Sequence, residues 1–432
     1  MFFCFMVVGL SLAQTSSVEQ NFTKKEVYIP MRDGTKLFTI IYIPKDISKS
    51  NKYPIIMNRT CYSVAPYGET NFRKKLSPNP FIEKEKYIFV FQDVRGRYMS
   101  EGTFTNMTPQ VDHKTKKDVD ESTDTYDTVD WLVKNVQNNN GKVGQYGTSY
   151  PGFYTAVGTL ANHPALVASS PQAPISDFWF DDFHHNGAFL MSYFKTFPVF
   201  GVQKTKPEKE SWFADKMIKP TSDDGYLFYK NMGTLKEGVD KYYKDNFFMQ
   251  EVVNHPNYDD FWKKRDLLPH LRNISHAVMT VGGWFDAEDL RGPLEIYKTI
   301  EKNNPKAKNT IVMGPFSHGG WNVEAGKHFH NDIYFGDSLA TFYQKNIEQP
   351  FFHHYLKEDS RTAAKLPEAY MFDTGKKEWK QFDNWPPKQT EKQTYYMNST
   401  GNLSVKGDNP KTFSVYVSDP NRPVLSSENY KD

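Results

Sequence analysis

The stretch GKVGQYGTSYPGFYTAVG, residues 141–158, joins a strand-like run to a run of small residues through two closely spaced glycines. Ser149 stands between Gly147 and Gly152. Such a serine lies either in a plain surface turn or on the sharp strand-to-helix bend that exposes a nucleophilic oxygen. Two residues separate Ser149 from Gly152, so the stretch departs from strict G-x-S-x-G. The order of strand, tight turn and helix predicts a nucleophile turn.

The segments around this turn repeat the same alternation. Strand-like runs are predicted at 25–45 (two strands around Arg32-Asp33-Gly34), 54–62, 87–96, 141–147, 166–174, 276–286 and 308–320. Helices are predicted at 126–136, 149–164, 294–302 and 337–356. Strands that alternate with helices indicate a mostly parallel sheet with helices on both faces. We therefore assign residues 22–176 and 274–360 to one α/β domain.

Two parts of the chain lack this alternation. Residues 177–273 are rich in aromatic residues, lysine and aspartate, with helical fragments, and predict a helical cap inserted into the α/β domain. Residues 365–432 contain short aromatic strands with Gly and Asn turns, as in an all-β module. Because this module has only a few strands, we expect it to be partial and the chain to be a fragment.

Composition excludes some classes of partner. The chain has 432 residues, enough for two or three domains, and a net charge of +2. It has no long run of lysine or arginine, so there is no electrostatic argument for binding nucleic acid or an anionic membrane. Aromatic residues make up 16% of the chain and supply ample apolar surface for a core.

The first 13 residues, MFFCFMVVGLSLA, have the apolar core and small-residue end of a secretory signal. They are too few to span a bilayer. The alternative is a disordered or buried N-terminus. With Cys4 in the signal, Cys61 is the lone cysteine of the mature chain, which excludes a disulfide framework or a thiolate metal site. We expect a periplasmic or secreted protein.

A serine nucleophile needs a base, and the base needs an acid that orients it. On an α/β sheet of this kind the expected chain order is serine, acid, histidine, with the last two at the ends of late strands. Asp286 ends the strand-like run MTVGGWFD, and His318 follows TIVMGPFS. Each alone is more commonly a turn former or a surface residue, but together they predict a triad of Ser149, Asp286 and His318.

A developing oxyanion needs two preset hydrogen-bond donors. The backbone N–H of Tyr150, next to Ser149, is one candidate. The second is expected in the loop after the third strand, where Tyr62 could donate its phenolic O–H. The alternative for Tyr62 is simple packing, since the chain has 26 tyrosines.

These motifs together resemble the cocaine-esterase and X-prolyl dipeptidyl peptidase group of serine hydrolases, and within it most closely the α-amino acid ester hydrolases. The likeness runs from about residue 22 to the end. It is carried by RTCY (59–62), QDVRGRYMSEG (92–102), GTSYPGFY (147–154), SPQAPISDFWFDDFHHNGAF (170–189), GGWFDAEDL (282–290) and GPFSHGG (314–320). The resemblance implies an α/β-hydrolase core, a helical cap and a C-terminal jelly roll longer than residues 365–432. The chain departs from the relatives at Cys61, where they commonly carry proline.

The resemblance also implies a cluster of carboxylates that binds the α-ammonium group of a substrate. The matching residues are Glu288, Asp289 and Asp182, with Asp181 as the alternative to Asp182. Adjacent acids repel one another, and a bound cation relieves that repulsion. The structural alternative is that Glu288 and Asp289 cap the helix beginning near LRGPLEIYK, where acids are favoured.

Three hypotheses follow for the function. The first is a serine hydrolase or acyltransferase that cleaves small esters and amides of α-amino acids, including β-lactam amides, through an acyl-enzyme. The second is an X-prolyl dipeptidyl peptidase or a general carboxylesterase. The third is a secreted binding protein whose β module carries the function. No cofactor is expected, and the His184-His185 and His353-His354 pairs lack the supporting ligands of a metal site. Relatives often assemble, so a homo-oligomer stays open.

Overall fold

The computed structural model describes residues 17–112, 114–195, 198–216, 218, 224–323, 326–330, 332–357, 366–408, 413, 415–419 and 421–422. The predicted signal at residues 1–13 lies outside them. Sixteen strands are present in this part of the chain: β1 Phe22–Pro30, β2 Lys36–Pro44, β3 Tyr53–Thr60, β4 Ile88–Asp93, β5 Asn139–Thr148, β6 Leu166–Gln172, β7 His184–His185, β8 Ala188–Phe189, β9 Ala277–Gly283, β10 Asn309–Gly314, β11 Lys327–His330, β12 Ile333–Asp337, β13 Ala369–Asp373, β14 Glu378–Phe382, β15 Tyr396–Met397 and β16 Leu403–Ser404.

Twelve α-helices accompany these strands within the described residues: α1 Ser17–Asn21, α2 Pro80–Lys84, α3 Glu121–Asn135, α4 Tyr150–Gly158, α5 Pro198–Gly201, α6 Gly225–Met232, α7 Leu235–Tyr242, α8 Phe247–Asn254, α9 Asp260–Lys263, α10 Arg291–Asn303, α11 Leu339–Tyr343 and α12 Gln349–Leu356. A π-helical turn, Gln344–Glu348, joins α11 to α12. No helix of the described residues has the length and apolar character that crossing a bilayer requires.

Ten strands form one twisted sheet in the order β1-β2-β4-β3-β5-β6-β9-β10-β13-β14. The seven strands from β4 to β13 run parallel, while β1, β2 and β14 are antiparallel to their neighbours. This confirms the predicted mostly parallel α/β sheet. Because the carboxyl ends of parallel strands meet at one edge, the segments after β3, β5, β6, β9 and β10 converge there.

Buried apolar side chains cover both faces of the sheet. On one face Val129 and Leu132 of α3 pack against β3 and β4. On the other face Tyr343 of α11 and Phe352 of α12 pack against β4, β9 and β10. The strands are apolar on both sides because helices exclude water from both, as expected for a buried parallel sheet.

Residues 177–273 hold most of the short helices between β6 and β9. They include α5 to α9 and the two-residue strands β7 and β8. Phe183, Phe248 and Trp262 pack together beneath them, and this cluster continues into α4 through Tyr150 and Phe153. The inserted segment is therefore packed on the helix that follows Ser149.

The predicted boundary at residue 365 is wrong for the first strands beyond it. β13 pairs in parallel with β10, and β14 pairs antiparallel with β13, so both extend the central sheet. A short aromatic strand has the same pattern at a sheet edge as in a jelly roll, and only its pairing separates the two. After β14, the described residues add only the two-stranded pair of β15 and β16.

Candidate active site

Ser149 lies on a strained turn between β5 and α4. Its φ of 68° and ψ of −129° belong to a region that side-chain-bearing residues rarely adopt. A Cβ atom at Gly147 would lie 2.2 Å from the carbonyl oxygen of Pro151, and one at Gly152 would lie 2.3 Å from that of Gln172. Both glycines are therefore required by close backbone approach. Gly152 serves the contact of α4 with β6.

The turn leaves the groups of Ser149 and Tyr150 in different environments. The Ser149 backbone N–H donates to the carbonyl of Gln172 at 2.9 Å, and its side chain makes no capping hydrogen bond to α4. The Tyr150 N–H is the first of the helix, a position that has no partner within the helix. The serine hydroxyl is thus not used to cap the helix, and a backbone donor stands directly beside it.

Asp286 and His318 form a hydrogen-bonded pair. Asp286 Oδ2 lies 2.8 Å from His318 Nδ1, and Asp286 Oδ1 accepts the backbone N–H groups of Glu288 and Asp289, both at 2.9 Å. Burial lowers the pKa of His318, but the hydrogen bond to Asp286 and the negative charges of Asp286 and Glu288 raise it by more, so the pKa lies above its ordinary value. Asp286 is placed to orient the ring and to stabilise its protonated form.

The Ser149 turn contacts the loop that carries His318. Asn322 Nδ2 donates to Thr148 Oγ1 at 3.1 Å, and a Cβ atom at Gly319 would lie 3.7 Å from Thr148 Cγ2. Thr148 precedes Ser149, and Gly319 follows His318. The residue before Ser149 therefore contacts the residue after His318, and His318 is itself bonded to Asp286, so the three predicted triad residues lie at one edge of the sheet.

Tyr62 lies in the loop after β3 with 42% of its surface exposed. Its ring stands edge-on to that of Tyr150 at 6.4 Å and tilted to that of Phe200 at 6.3 Å. The Tyr150 hydroxyl is buried, donates to Asn106 and accepts from Met107, so only the backbone of Tyr150 faces the turn. Of the two tyrosines, Tyr62 is the one whose side chain is exposed at the site.

Cys61, where the resemblance implies proline, is fully buried beside Tyr62. Its backbone carbonyl accepts from Arg97 Nε at 3.0 Å, and burial raises the pKa of its thiol to about 12. The thiol is therefore neutral and packs as a small apolar group. The loop of Tyr62 is held at this point by a hydrogen bond to the backbone, which does not depend on the side chain at position 61.

Asp182, Glu288 and Asp289 form an acidic cluster next to His318. Asp289 is 0% exposed, and neither of its carboxylate oxygens has a hydrogen bond in the described structure. Asp182 accepts from the Tyr193 hydroxyl at 2.9 Å through Oδ1, while its buried Oδ2 has no hydrogen bond. Burial, and then the charges of the neighbouring acids, raise the pKa of Asp182 and of Asp289 well above the ordinary carboxyl value.

The geometry of this cluster fits a small cation. Glu288 Oε2 lies 3.5 Å from His318 Nε2, and one ligand atom each of Glu288, Asp289 and His318 lie within 4.8 Å of one another. Buried carboxylates without partners are costly unless something pairs with them. The capping alternative does not hold, because α10 begins at Arg291 with no acid in its first turn and no side-chain cap.

Asp181 has a different environment from Asp182. Its Oδ2 accepts the Ser176 N–H, the Ser176 hydroxyl and the Asp177 N–H, and Arg291 lies 3.6 Å from its Oδ1. The three hydrogen bonds satisfy Oδ2, and the positive charge of Arg291 partly neutralises Oδ1. Each aspartate therefore has one buried oxygen without a hydrogen bond, but that of Asp181 faces Arg291, whereas no ion pair reaches that of Asp182 among the described residues.

The other polar motifs have structural surroundings. Arg95 forms ion pairs with Asp33 at 2.7 Å and with Asp124 at 2.8 Å. It thereby joins the segment after β4 to the β1–β2 turn and to helix α3. His184 stacks on Trp179 at 3.5 Å, and His353 contacts Glu85. Sequence reasoning missed Gln172, whose backbone holds Ser149. The one available signal was weak: Gln172 is a long polar residue at the end of a run of small or apolar residues.

Comparison with known proteins identifies relatives along most of the chain. A family model described as X-Pro dipeptidyl-peptidase (S15 family) matches residues 33–320. The crystal structure of an aminopeptidase from a marine sediment Thaumarchaeota archaeon has a TM-score of 0.83 at 31% identity, covering 99% of this chain and 69% of that one. A structure of an α-amino acid ester hydrolase has a TM-score of 0.83 at 29% identity, covering 97% and 70%. Cocaine esterase of Rhodococcus sp. (strain MB1 Bresler) is 24% identical over 93% of this chain and 68% of that protein.

Proposed function

The chain belongs to the X-Pro dipeptidyl-peptidase (S15) family, and from that premise we propose that it is a serine hydrolase and acyltransferase acting on esters and amides of α-amino acids. The proposed nucleophile is Ser149, with His318 as base and Asp286 as its orienting acid. The name of the α-amino acid ester hydrolase to which the chain is similar supports this substrate class. β-Lactam amides with an α-amino acyl group fall within the same class.

The observation that carries the proposal is the acidic cluster beside the base, whose ion pairs among the described residues are both with His318 itself. Asp289 is buried with both oxygens free of hydrogen bonds, and Glu288 lies 3.5 Å from His318 Nε2. An α-ammonium group would supply the missing positive charge. One such ion pair at about 4 Å contributes roughly 4 kcal/mol at an effective dielectric near 20, before desolvation is subtracted.

In the proposed reaction Ser149 Oγ attacks the carbonyl carbon while His318 Nε2 takes the hydroxyl proton. The Tyr150 N–H and the Tyr62 O–H stabilise the oxyanion of the tetrahedral intermediate. As the bond to the leaving alcohol or amine breaks, His318 returns the proton to that group, leaving an ester between the acyl group and Ser149. Water then attacks the ester and releases the acid, or a second amine attacks it and forms a new amide.

The position of the acidic cluster favours substrates with a single amino acid residue, rather than a dipeptide, on the acyl side of the cleaved bond. An ammonium group that contacts Glu288 lies next to the ring of His318, because Glu288 is 3.5 Å from Nε2. In an α-amino acyl group the nitrogen is two bonds from the reacting carbonyl carbon. In a dipeptidyl group it is a further residue away, about 3.5 Å more in an extended chain. The cluster therefore suits an α-amino acyl group better.

The test compares phenylglycine methyl ester with phenylacetic acid methyl ester, which lacks only the amino group. We expect kcat/KM to be at least roughly a hundredfold higher for the amino ester. Each tenfold corresponds to about 1.4 kcal/mol, so a hundredfold uses about 2.8 of the roughly 4 kcal/mol that the ion pair contributes before desolvation. The Ser149→Ala variant should lose both activities. Equal rates with the two esters would contradict the role of the cluster, and full activity in Ser149→Ala would contradict the serine mechanism.

A second candidate is a peptidase that releases N-terminal residues, favoured by the name of the similar archaeal aminopeptidase. It would use the same ammonium site. Comparing Gly-Pro-p-nitroanilide with glycine-p-nitroanilide separates the possibilities. Turnover of the dipeptide substrate alone would support an X-prolyl dipeptidyl peptidase, and turnover of the single-residue anilide would support an aminopeptidase. Failure of a fluorophosphonate to label Ser149 would favour a binding protein instead.

A further inference from the structure

Gln172, the last residue of β6, contacts both of the segments that carry the proposed nucleophile and base. On the nucleophile side it pairs in register with Thr148 in β5. Its carbonyl accepts the Ser149 N–H at 2.9 Å, and its side-chain Oε1 accepts from Thr148 Oγ1 at 3.1 Å. The turn of Ser149 is thus bonded to Gln172 through both the backbone and a side chain.

On the base side the same Oε1 accepts the indole N–H of Trp321 at 2.8 Å. Trp321 follows His318 by three residues and is fully buried. Its neighbour Asn322 donates to Thr148 at 3.1 Å, which closes a ring of hydrogen bonds between the two segments. One amide oxygen is therefore shared by the Ser149 turn and the His318 loop.

A buried carboxylate fixes which way this amide points. Gln172 Nε2 donates to Glu348 Oε1 at 2.7 Å, and Asn79 Nδ2 donates to Glu348 Oε2 at 2.7 Å. Trp321 can only donate, so a flipped amide would lose that bond. Each Glu348 oxygen accepts an amide N–H, while burial raises the pKa of this carboxyl group. Glu348 reaches this position from the π-helical turn Gln344–Glu348, a distortion that is frequent near functional sites.

We propose that Gln172, oriented by Glu348, is the positioning residue that sets the approach of Ser149 Oγ to His318 Nε2. The inference rests on the proposed serine mechanism. It follows from geometry, because the two reacting groups lie on separate segments and Gln172 bonds to both. Rates of such reactions fall steeply when the reacting atoms are misplaced by as little as 1 Å.

The first test is Gln172→Met, which keeps a similar volume and removes the shared acceptor. We expect kcat to fall at least roughly tenfold while KM for the amino ester changes less than about twofold, because the acidic cluster lies on other segments. The rate of labelling by a fluorophosphonate should fall with kcat. The matched control is Gln145→Met. Gln145 is also a buried glutamine of the sheet, but it bonds to Ser169 and Thr155, away from the loops of the site.

The second test exchanges the two partners. Gln172→Glu alone places two carboxylates in contact in a buried site, where they repel, and should be as impaired as Gln172→Met. The double variant Gln172→Glu, Glu348→Gln restores one carboxylate and one amide, with the acceptors facing Trp321 and Thr148 again. We expect kcat to return to within about threefold of the wild type. This pair of variants decides the question if Gln172→Met does not fold.

The outcomes separate this inference from the proposed function. An active wild type with equal kcat in Gln172→Met and Gln145→Met would overturn the positioning role, as would a double variant no better than Gln172→Glu. A wild type that turns over neither ester would overturn the proposed function. Crystal structures of the two methionine variants then still test positioning: residues 317–323 should shift relative to Ser149 in Gln172→Met only, and an unshifted loop would overturn it.

Discussion

Carboxylates approach both nitrogens of the His318 ring, and the two nearest are those of Asp286 and Glu288. Asp286 lies 2.8 Å from Nδ1, and Glu288 lies 3.5 Å from Nε2, the nitrogen that would accept the proton of Ser149. Glu288 therefore has two opposite effects. Its charge attracts the α-ammonium group of a substrate, and in the free protein it favours the protonated ring, which cannot act as a base.

The pH dependence of activity should reveal this second effect. A base works only when neutral, so kcat/KM rises with pH through the pKa of His318, which lies above its ordinary value of about 6.5. Removing the charge of Glu288 removes one cause of that elevation. In Glu288→Gln we expect the acidic limb of the profile to move to lower pH.

The measurement uses p-nitrophenyl acetate, a neutral ester, so that loss of ammonium binding does not obscure the shift. The control is Glu295→Gln on α10, whose carboxylate pairs with Lys298 on the helix surface. An acidic limb that stays in place in Glu288→Gln would show that Glu288 does not influence the base.

The hydroxyl of Tyr62 supplies the second residue-scale prediction. Tyr62→Phe keeps the ring contacts with Tyr150 and Phe200 but removes the proposed oxyanion donor. Loss of one such donor typically lowers kcat by about a hundredfold or more. We expect that loss in steady-state kinetics, with KM little changed. Tyr67→Phe, which removes a hydroxyl of the same loop that donates to Asp93, should retain kcat; equal losses in both would point to loop stability instead.

At the scale of elements, the Ser149 turn depends on the close approach of α4 to β6. Gly152 is the third residue of α4, and a side chain there would meet the carbonyl of Gln172 at 2.3 Å. That carbonyl also accepts the Ser149 N–H. Moving α4 away from β6 therefore moves the nucleophile.

Gly152→Ala should thus lower both stability and activity. Overpacking of this kind costs about 1–3 kcal/mol, and here the obstacle is backbone that cannot rotate away. We expect a lower Tm in thermal unfolding and a kcat reduced by roughly a hundredfold. Gly326→Ala is the control, because a Cβ atom there meets nothing within 4 Å. A Gly152→Ala protein with normal kcat would show that the turn tolerates a shift of α4.

The sequence predicts helices and strands well where their apolar residues are regularly spaced. It predicts them less well where their buried residues are polar. The apolar spacing predicts α3 from residue 126, yet the helix begins at Glu121. Its first turn is polar and buried because Arg59 lies 3.1 Å from Glu121 and Arg95 lies 2.8 Å from Asp124. Such pairing depends on residues far away in the chain, as does the pairing of β13 with β10, so neither follows from local pattern.

The residues of the candidate site also differ in whether the sequence alone could predict them. Ser149, Asp286 and His318 could be proposed from their order and their places at strand ends. The different surroundings of Asp181 and Asp182 could not, because they depend on which of two adjacent side chains meets Ser176 and Arg291. Gln172 and Glu348 have no motif at all, and only the fold brings them together.

At the scale of the whole molecule, the acidic cluster joins distant parts of the chain. Asp182 lies at the start of the inserted segment after β6, and Glu288 and Asp289 lie after β9. A carboxyl group whose pKa is raised on folding holds its proton more tightly in the folded chain. Its contribution to the free energy of unfolding is lost as pH rises from about 4 through the raised pKa.

Asp289→Asn should therefore stabilise the protein while reducing its activity. Burial without hydrogen bonds makes the ionised form of Asp289 costly, and the variant removes that charge while keeping the size of the side chain. We expect a higher Tm at pH 8, little difference near pH 4, and a weakened preference for amino esters. Asp240→Asn, at an exposed carboxylate paired with Lys236, should change none of these. A lower Tm for Asp289→Asn at pH 8 would contradict the prediction.

The same buried carboxylates bear on how a turnover ends. An amino ester enters as a monocation, but hydrolysis turns it into a zwitterion with a new negative charge at the former ester carbon, near Glu288. The new carboxylate of the product and the carboxylate of Glu288 carry like charges and repel each other. The chemistry thus converts a ligand that the cleft attracts into one that it expels, and free amino acids should be poor competitors of their own esters.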